Sequence, residues 1–343
     1  VYAEYSKDNR IGYADKKIET VANKIISGVG IRGFLGTRTF FASTTDLTPS
    51  GLRACARRVA QAVGHPVDRI QDFSLVERIN PNIHPIAVNP FDVSAAQRCD
   101  LVRQGADAAW AGGDEIIQVD GMLLCSDKSF TLANSEGLYT SDRQIRTRMM
   151  VAAIASDGHQ NQQGMASPGR QMGLEFFDID RFRPEKIGAE AARQAKVNLK
   201  AIPCPSGKMT VPIANGFGGV IFHEACGHSL EASCVGIGMS QMCGKLGQKV
   251  AGSKVTAIDD GTIPNAWGSC NIDDEGRPNQ RRVLIENGIL KSYMIDRLGA
   301  RRMGMEHTAS GRRQNYSFET TSRMSNTFIA NGPDKNEDII ASI

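Results

Sequence analysis

Residues 220–231 read Val-Ile-Phe-His-Glu-Ala-Cys-Gly-His-Ser-Leu-Glu, so that His223 and His228 bracket Glu224 and a second glutamate, Glu231, follows. Two neutral imidazoles beside a carboxylate are what a hydrolytic zinc site needs: ligands that leave coordination positions open, and a base for the bound water. The common zincin motif spaces its histidines four apart, about 40° around a regular helix. Here the spacing is five, about 140°, and two such imidazoles could not easily share one ion on a regular helix. A metal site therefore predicts a locally widened, π-type turn or a break after His223. Gly227 is the residue at which a distorted backbone costs least. The competing reading is a core helix carrying two hydrogen-bonded histidines, and the adjacent glutamate favours the metal.

The elements that must position this stretch are those of an α+β protein. Short segments rich in β-branched and aromatic residues, 1–6, 11–14, 17–22, 29–34 and 39–44, read as antiparallel strands broken at Gly12, Gly28 and Gly36. Thr48 or Ser50 caps a helix to about Val63, and the prolines at 66, 81, 85 and 90 make residues 64–92 a connecting loop. A second helix runs from Ser94 to about Ala111. Residues 115–155 then read as a meander with turns at Asp120-Gly121 and 135–137. Residues 156–173 read as an exposed loop, and Arg183-Pro184 opens a third helix to Leu199. The expected division is an N-terminal α+β domain, residues 1–200, and a C-terminal domain, residues 203–343.

In the second part, Asn215 is the expected cap of the motif helix, whose apolar first half (Phe217, Val220, Ile221, Phe222) should be buried. A strand is expected over 249–259, a turn at Asp259-Asp260-Gly261-Thr262, a hairpin over 283–295 around Asn287-Gly288, a short helix near Leu298–Met305 and a strand at 327–329. The acidic pair of the turn reads as structural rather than ligating. No Gly-x-x-x-x-Gly-Lys phosphate loop is present.

Composition bounds the partners. At 343 residues, with 41% hydrophobic and 22% charged residues and a net charge of +3 spread along the chain, nothing argues for nucleic acid or an anionic membrane. The eight cysteines form no CxxC pair, which suits a reducing cytoplasm. No apolar run approaches the roughly 18 residues of a spanning helix. The chain starts without methionine and ends on an apolar stretch, so a fragment of a longer protein is expected.

With these pieces assembled, the chain resembles the TldD/PmbA family of metallopeptidases, its TldD branch in particular. The resemblance rests on 223–231, and on Gly28-Val29-Gly30-Ile31-Arg32, Asn134-Ser135-Glu136-Gly137, the 259–262 turn, Gly311-Arg312-Arg313 and Arg323-Met324-Ser325-Asn326-Thr327. It implies a two-domain fold with the motif in a mostly antiparallel C-terminal domain, and a Zn2+-dependent peptidase acting on unfolded or extended peptides. It also implies a homodimer, or a heterodimer with a paralogue lacking the metal motif. Carried over, His223 and His228 are metal ligands, Glu224 is the base and Glu231 a support behind the ligands. The family's third ligand is a cysteine in a glycine-containing segment, expected beyond Ile343. Two histidines alone leave a four-coordinate ion short of ligands, so this stretch by itself should bind metal weakly and be inactive. Cys226 reads as a small apolar filler.

The transition state also needs a donor or cation, and His307, Arg312 and Arg313 are the candidates from the sequence. Two rival readings stand beside the peptidase. One is a non-catalytic assembly or peptide-binding subunit with a structural metal site. The other is a metal-dependent hydrolase of another bond.

Overall fold

The computed structural model describes residues 1–64 and 73–343, so Pro66 of the expected connecting loop lies outside the described residues. The first half is a sheet of long antiparallel strands. β1 (Tyr2–Ala14) turns at Asp15-Lys16, both with positive φ, into β2 (Lys17–Leu35), followed by β3 (Arg38–Thr44). A two-residue turn of that hand matches the strands' twist. α1 (Pro49–Val63) is capped by Thr48, whose hydroxyl accepts the Gly51 N–H at 3.2 Å. After the two-residue strand β4 (Val76–Glu77), α2 (Ala95–Trp110) opens on a reciprocal Ser94–Gln97 capping box, which stabilises such a terminus by about 1 kcal/mol.

β5 (Ile116–Ala133) and β6 (Leu138–Ser156) form the longest pair, and β7 (Asn161–Ala166) and β8 (Gly169–Arg170) add to β6. The order is β3-β2-β1-β5-β6-β4, mixed only by the parallel β4. α3 (Pro184–Leu199) lies beside α2 on one face of the sheet. There Gly105 and Gly188 meet so closely that a Cβ on Gly188 would collide with the Gly105 carbonyl. The core under these helices includes Ile11, Val102, Ala106, Leu123, Met149, Val151, Phe176, Ile187 and Ala191.

Several expectations are corrected here. There is no turn at Asp120-Gly121: β5 runs through it, and Gly121 is small because Val102 of α2 and Tyr13 press on that position. Gly12 and Gly28 do not end strands either. Gly12 sits at a register shift, and Gly28 leaves room for the Tyr316 ring. The stretch 156–173 is not wholly loop, since β7 and β8 occupy part of it.

The second half opens with residues 201–215, which have no regular structure, and a run of short helical pieces containing α4 (Val220–Phe222) and α5 (Ala232–Val235). A four-stranded sheet follows, built from β9 (Ala257–Asp260), β10 (Arg281–Glu286), β11 (Ile289–Leu290) and a later β14, in the order β11-β10-β9-β14. The expected strand over 249–259 shrinks to β9, with Lys249 making only an isolated bridge to Ile289. Asn287 and Gly288 do form the left-handed turn of the β10–β11 hairpin, but β11 is two residues long. α6 (Arg297–Met303) is capped by Asp296 and ended by left-handed Gly304. β12 (Gly311–Arg312) pairs with β13 (Thr321–Ser322), β14 (Thr327–Ile329) lies beside β9, and α7 (Asn336–Ala341) ends the chain.

This half has its own core of Phe222, Leu230, Ala257, Leu284, Leu290, Tyr293, Met294 and Ile295. The two halves meet through Tyr2, Phe130, Leu132 and Ile272, and through the buried Arg32–Glu275 pair at 2.9 Å. The protein is α+β with predominantly antiparallel sheets. Among the described residues no helix is long and apolar enough to cross a membrane.

Candidate metal centre

The motif is not one helix. A 3-10 turn (Gly216–Gly219) leads into α4, a π turn spans His223–Gly227, and a second 3-10 turn (His228–Leu230) stops at Glu231, whose ψ of 134° is extended. The His228 N–H donates to the His223 carbonyl, the five-residue bond of a π turn. The added residue swings the second histidine round to the first: the ring centroids are 4.8 Å apart with planes at 87°. His223, Glu224 and His228 each offer a ligand atom within 4.8 Å of the others.

Two local expectations change. Gly227 has φ −56° and ψ −54°, ordinary helical values, so the glycine is not there to relieve a strained backbone. It is there for room, because a Cβ would collide with the Met324 Sδ. Nor is the apolar first half buried. Asn215 makes no capping bond, Phe217 is 88% exposed and Ile221 56% exposed; Phe222 alone of the four turns into the core. Of the stretch 216–231, Phe222 and Leu230 are buried among Leu284 and its neighbours, with Cys226 partly buried against them.

Around the histidines the partners are specific. His228 Nε2 lies 3.8 Å from Glu224 Oε2, and Nδ1 of the same ring lies 3.2 Å from Glu231 Oε1. With Nδ1 committed to a carboxylate, Nε2 is the nitrogen left to bind a cation. The Glu231 side chain is 3% exposed, and burial pushes its carboxyl up in pKa against the opposing effect of Arg323 and His228. Its Oε2 meets Arg323 Nη1 at 3.5 Å. His223 Nδ1 lies 3.5 Å from Thr327 Oγ1. Burial, and secondly the charge on His228, lower the His223 pKa and favour the neutral ring a metal requires. Glu224 is the accessible member of the group, its side chain being 67% exposed.

The segment 323–327 holds this arrangement from the far end of the chain, and sequence reasoning gave it no role. Ser325 donates its N–H and its hydroxyl to the two oxygens of Asp259, both at 2.7 Å, and Arg282 Nε donates to Asp259 Oδ2 at 3.1 Å. Asn326 accepts the Gly268 N–H at 3.0 Å and donates to Ser269 Oγ at 2.8 Å. Asp259 is fully buried in β9, not in a turn; the turn starts at Asp260, whose carboxylate accepts the Thr262 N–H at 2.8 Å. The available signal was the run Arg323-Met324-Ser325-Asn326-Thr327 itself, four polar residues and a methionine beside a short strand.

The other sequence candidates are engaged elsewhere. Arg312 donates to Cys270 Sγ and, at 3.1 Å, to the Gly268 carbonyl. Arg313 donates its backbone N–H to Asp274 Oδ2 at 2.8 Å and stacks over Tyr2. His307 donates Nε2–H to Glu275 at 2.7 Å, with Asp273 Oδ2 at 3.6 Å. Asp273, Glu275 and His307 have ligand-like spacing, but the Ala309 N–H is donated to His307 Nδ1 at 3.0 Å. Nε2 therefore carries the ring proton, and no lone pair faces the carboxylates for a cation. This cluster is a hydrogen-bonded ion network that joins loops of the second half to the first sheet through Arg32.

Models of three domains match in succession: PmbA/TldA metallopeptidase domain 1 over residues 1–63, the central domain over 88–199 and the C-terminal domain over 206–343. A protein named metalloprotease TldD homolog from Haemophilus influenzae is 32% identical over 348 residues, covering 100% of this chain and 72% of that protein. Its namesake from Buchnera aphidicola subsp. Acyrthosiphon pisum is 33% identical over 325 residues, covering 92% of this chain and 66% of that protein. The chain thus spans 66% to 72% of the length of these relatives. The crystal structure of TldE from Thermococcus kodakarensis is similar in fold, with TM-score 0.75 and 21% identity over 100% of this chain and 76% of that one.

Proposed function

The chain belongs to the PmbA/TldA metallopeptidase family, and from that premise we propose that it carries the zinc-binding and proton-transfer groups of a peptidase acting on unfolded or extended peptides. In this reading residues 1–200 are the scaffold domain and 203–343 the peptidase domain. The observation that carries it is the π turn, which brings His223 and His228 to 4.8 Å with Glu224 beside them. The donors present suit zinc: two imidazoles, one of them with Nδ1 held by a buried carboxylate.

When bound, the ion supplies a Lewis acid that lowers the pKa of a water and polarises the scissile carbonyl. The chain's own residues do the rest. His223 and His228 hold the ion, His228 through Nε2. Glu224, exposed and 3.8 Å from that nitrogen, takes the proton of the attacking water at a carboxylate oxygen and hands it to the leaving amine. Among the described residues β14 pairs with β9 alone and carries Thr327 to His223, so an extended peptide added along that edge would run past the motif. A dimeric assembly with a second copy or a paralogue is part of the same proposal.

The test is Glu224→Gln in the intact protein. Zinc content, measured by atomic emission, should stay near that of the unsubstituted protein, while hydrolysis of an unstructured peptide falls about 10²- to 10⁴-fold. Full activity with zinc retained would remove Glu224 as the base.

A further inference from the structure

Glu231 is far more buried than Glu224, with a side chain 3% exposed against 67%. A carboxylate so far from water persists only where charge and hydrogen bonds meet both oxygens. Here they face different partners, Oε1 toward His228 Nδ1 at 3.2 Å and Oε2 toward Arg323 Nη1 at 3.5 Å. Among the described residues no other arginine or lysine lies within ion-pair distance of it. Arg323 is itself anchored, its backbone N–H donating to the Ser310 carbonyl at 2.9 Å directly after β13, while its side chain stays 53% exposed.

We propose that Arg323 is a positioning residue for the metal ligand His228. Its guanidinium clamps the Glu231 carboxylate, the carboxylate fixes the imidazole plane through Nδ1, and Nε2 is thereby aimed at the cation position beside Glu224. The inference rests on the peptidase reading; His307, Arg312 and Arg313, named from the sequence for transition-state support, have other partners and do not pair with Glu231. Arg323 is 92 residues from Glu231, so the relationship exists only in the fold.

The experiment compares the unsubstituted intact protein with Arg323→Gln, Arg323→Lys, Glu231→Gln and the Glu231→Gln/Arg323→Gln pair. Zn2+ affinity is measured against a competing chelator without peptide, and kcat and KM at saturating zinc. Arg323→Gln should weaken zinc about 10- to 100-fold, with kcat lowered and KM unchanged. Arg323→Lys should restore part of the loss. The double variant should bind zinc no more weakly than Glu231→Gln alone, because the two residues act in series. Being half-exposed, Arg323→Gln should melt close to the unsubstituted protein; the lysine variant tests the same clamp if it does not. Unchanged zinc affinity in Arg323→Gln, or losses that add in the double variant, would overturn the inference and leave the peptidase reading standing. Absence of zinc uptake by the unsubstituted protein would overturn both.

Discussion

Gly227 packs directly against the Met324 thioether, with no space for a Cβ between them. One contact thus ties the π turn to the segment that reaches Glu231 and His223 through Arg323 and Thr327. Gly227→Ala should push these apart. The backbone tolerates alanine, since φ is −56°, so the cost is steric alone, about 1–3 kcal/mol for an overpacked contact. Thermal melts should show that loss, and zinc affinity should fall with it. Met324→Ala added to Gly227→Ala should recover much of both, because the shortened side chain vacates the position the new methyl needs. A double variant as impaired as the sum of its parts would place the glycine's role elsewhere.

Asp259 is the hub on which the same segment hangs. It is fully buried, ion-paired with Arg282, and accepts two hydrogen bonds from Ser325. Replacing it by asparagine leaves Arg282, itself 3% exposed, without its counter-charge. Removing one member of a buried pair costs about 3–5 kcal/mol. Asp259→Asn should lose about that much in urea unfolding and lose zinc affinity as well, because Ser325 lies between Arg323 and Thr327. A variant with full stability would mean that the Ser325 bonds and not the charge hold the segment. Asp259→Asn combined with Arg282→Met, which removes both charges, should be more stable than Asp259→Asn alone.

What the sequence disclosed and what it hid divide along a physical line. The His-Glu-x-x-x-His spacing, read as a metal site, predicts a widened turn or a break after His223, and a π turn spans His223–Gly227. Caps at Thr48 and Ser94, and the Asn287-Gly288 turn, are likewise local and legible. Glycine was misread where its reason was tertiary. Gly121 is a gap for Val102, Gly28 for Tyr316 and Gly227 for Met324, and each neighbour is remote in sequence. The surroundings of two sequence candidates were hidden for the same reason. Arg312 and Arg313 look free in a polar loop, yet the fold turns them toward Cys270 and Asp274. Phe217 and Ile221 defeated the burial pattern because the stretch before the π turn is a 3-10 turn and one short α segment, not the regular helix whose period that pattern assumes.

His84 offers a pH test of the contact between the two halves of the chain. It is 2% exposed, its Nδ1 accepts the Asn265 N–H at 3.0 Å, and its Nε2 finds no hydrogen-bond partner among the described residues. Burial, and secondly the nearby Arg146, depress its pKa from 6.5 to about 4. Between these values the unfolded chain takes up a proton that the folded one refuses. Stability from this group is therefore complete above pH 6.5 and is lost as pH falls toward about 4, by up to roughly 3 kcal/mol. Asp273, pushed up to about 6 chiefly by burial, has the opposite sign, since its folded form holds a proton the unfolded form has released. The unsubstituted curve contains both effects, and the difference against His84→Asn isolates one. The asparagine amide oxygen, attached at Cγ as Nδ1 is, can still accept the Asn265 N–H but does not titrate. Urea unfolding at pH 4.5 and 7 should therefore show the unsubstituted protein losing about 2–3 kcal/mol more than the variant. Equal losses in the two proteins would mean that His84 is protonated inside the fold and that the Asn265 bond breaks without cost.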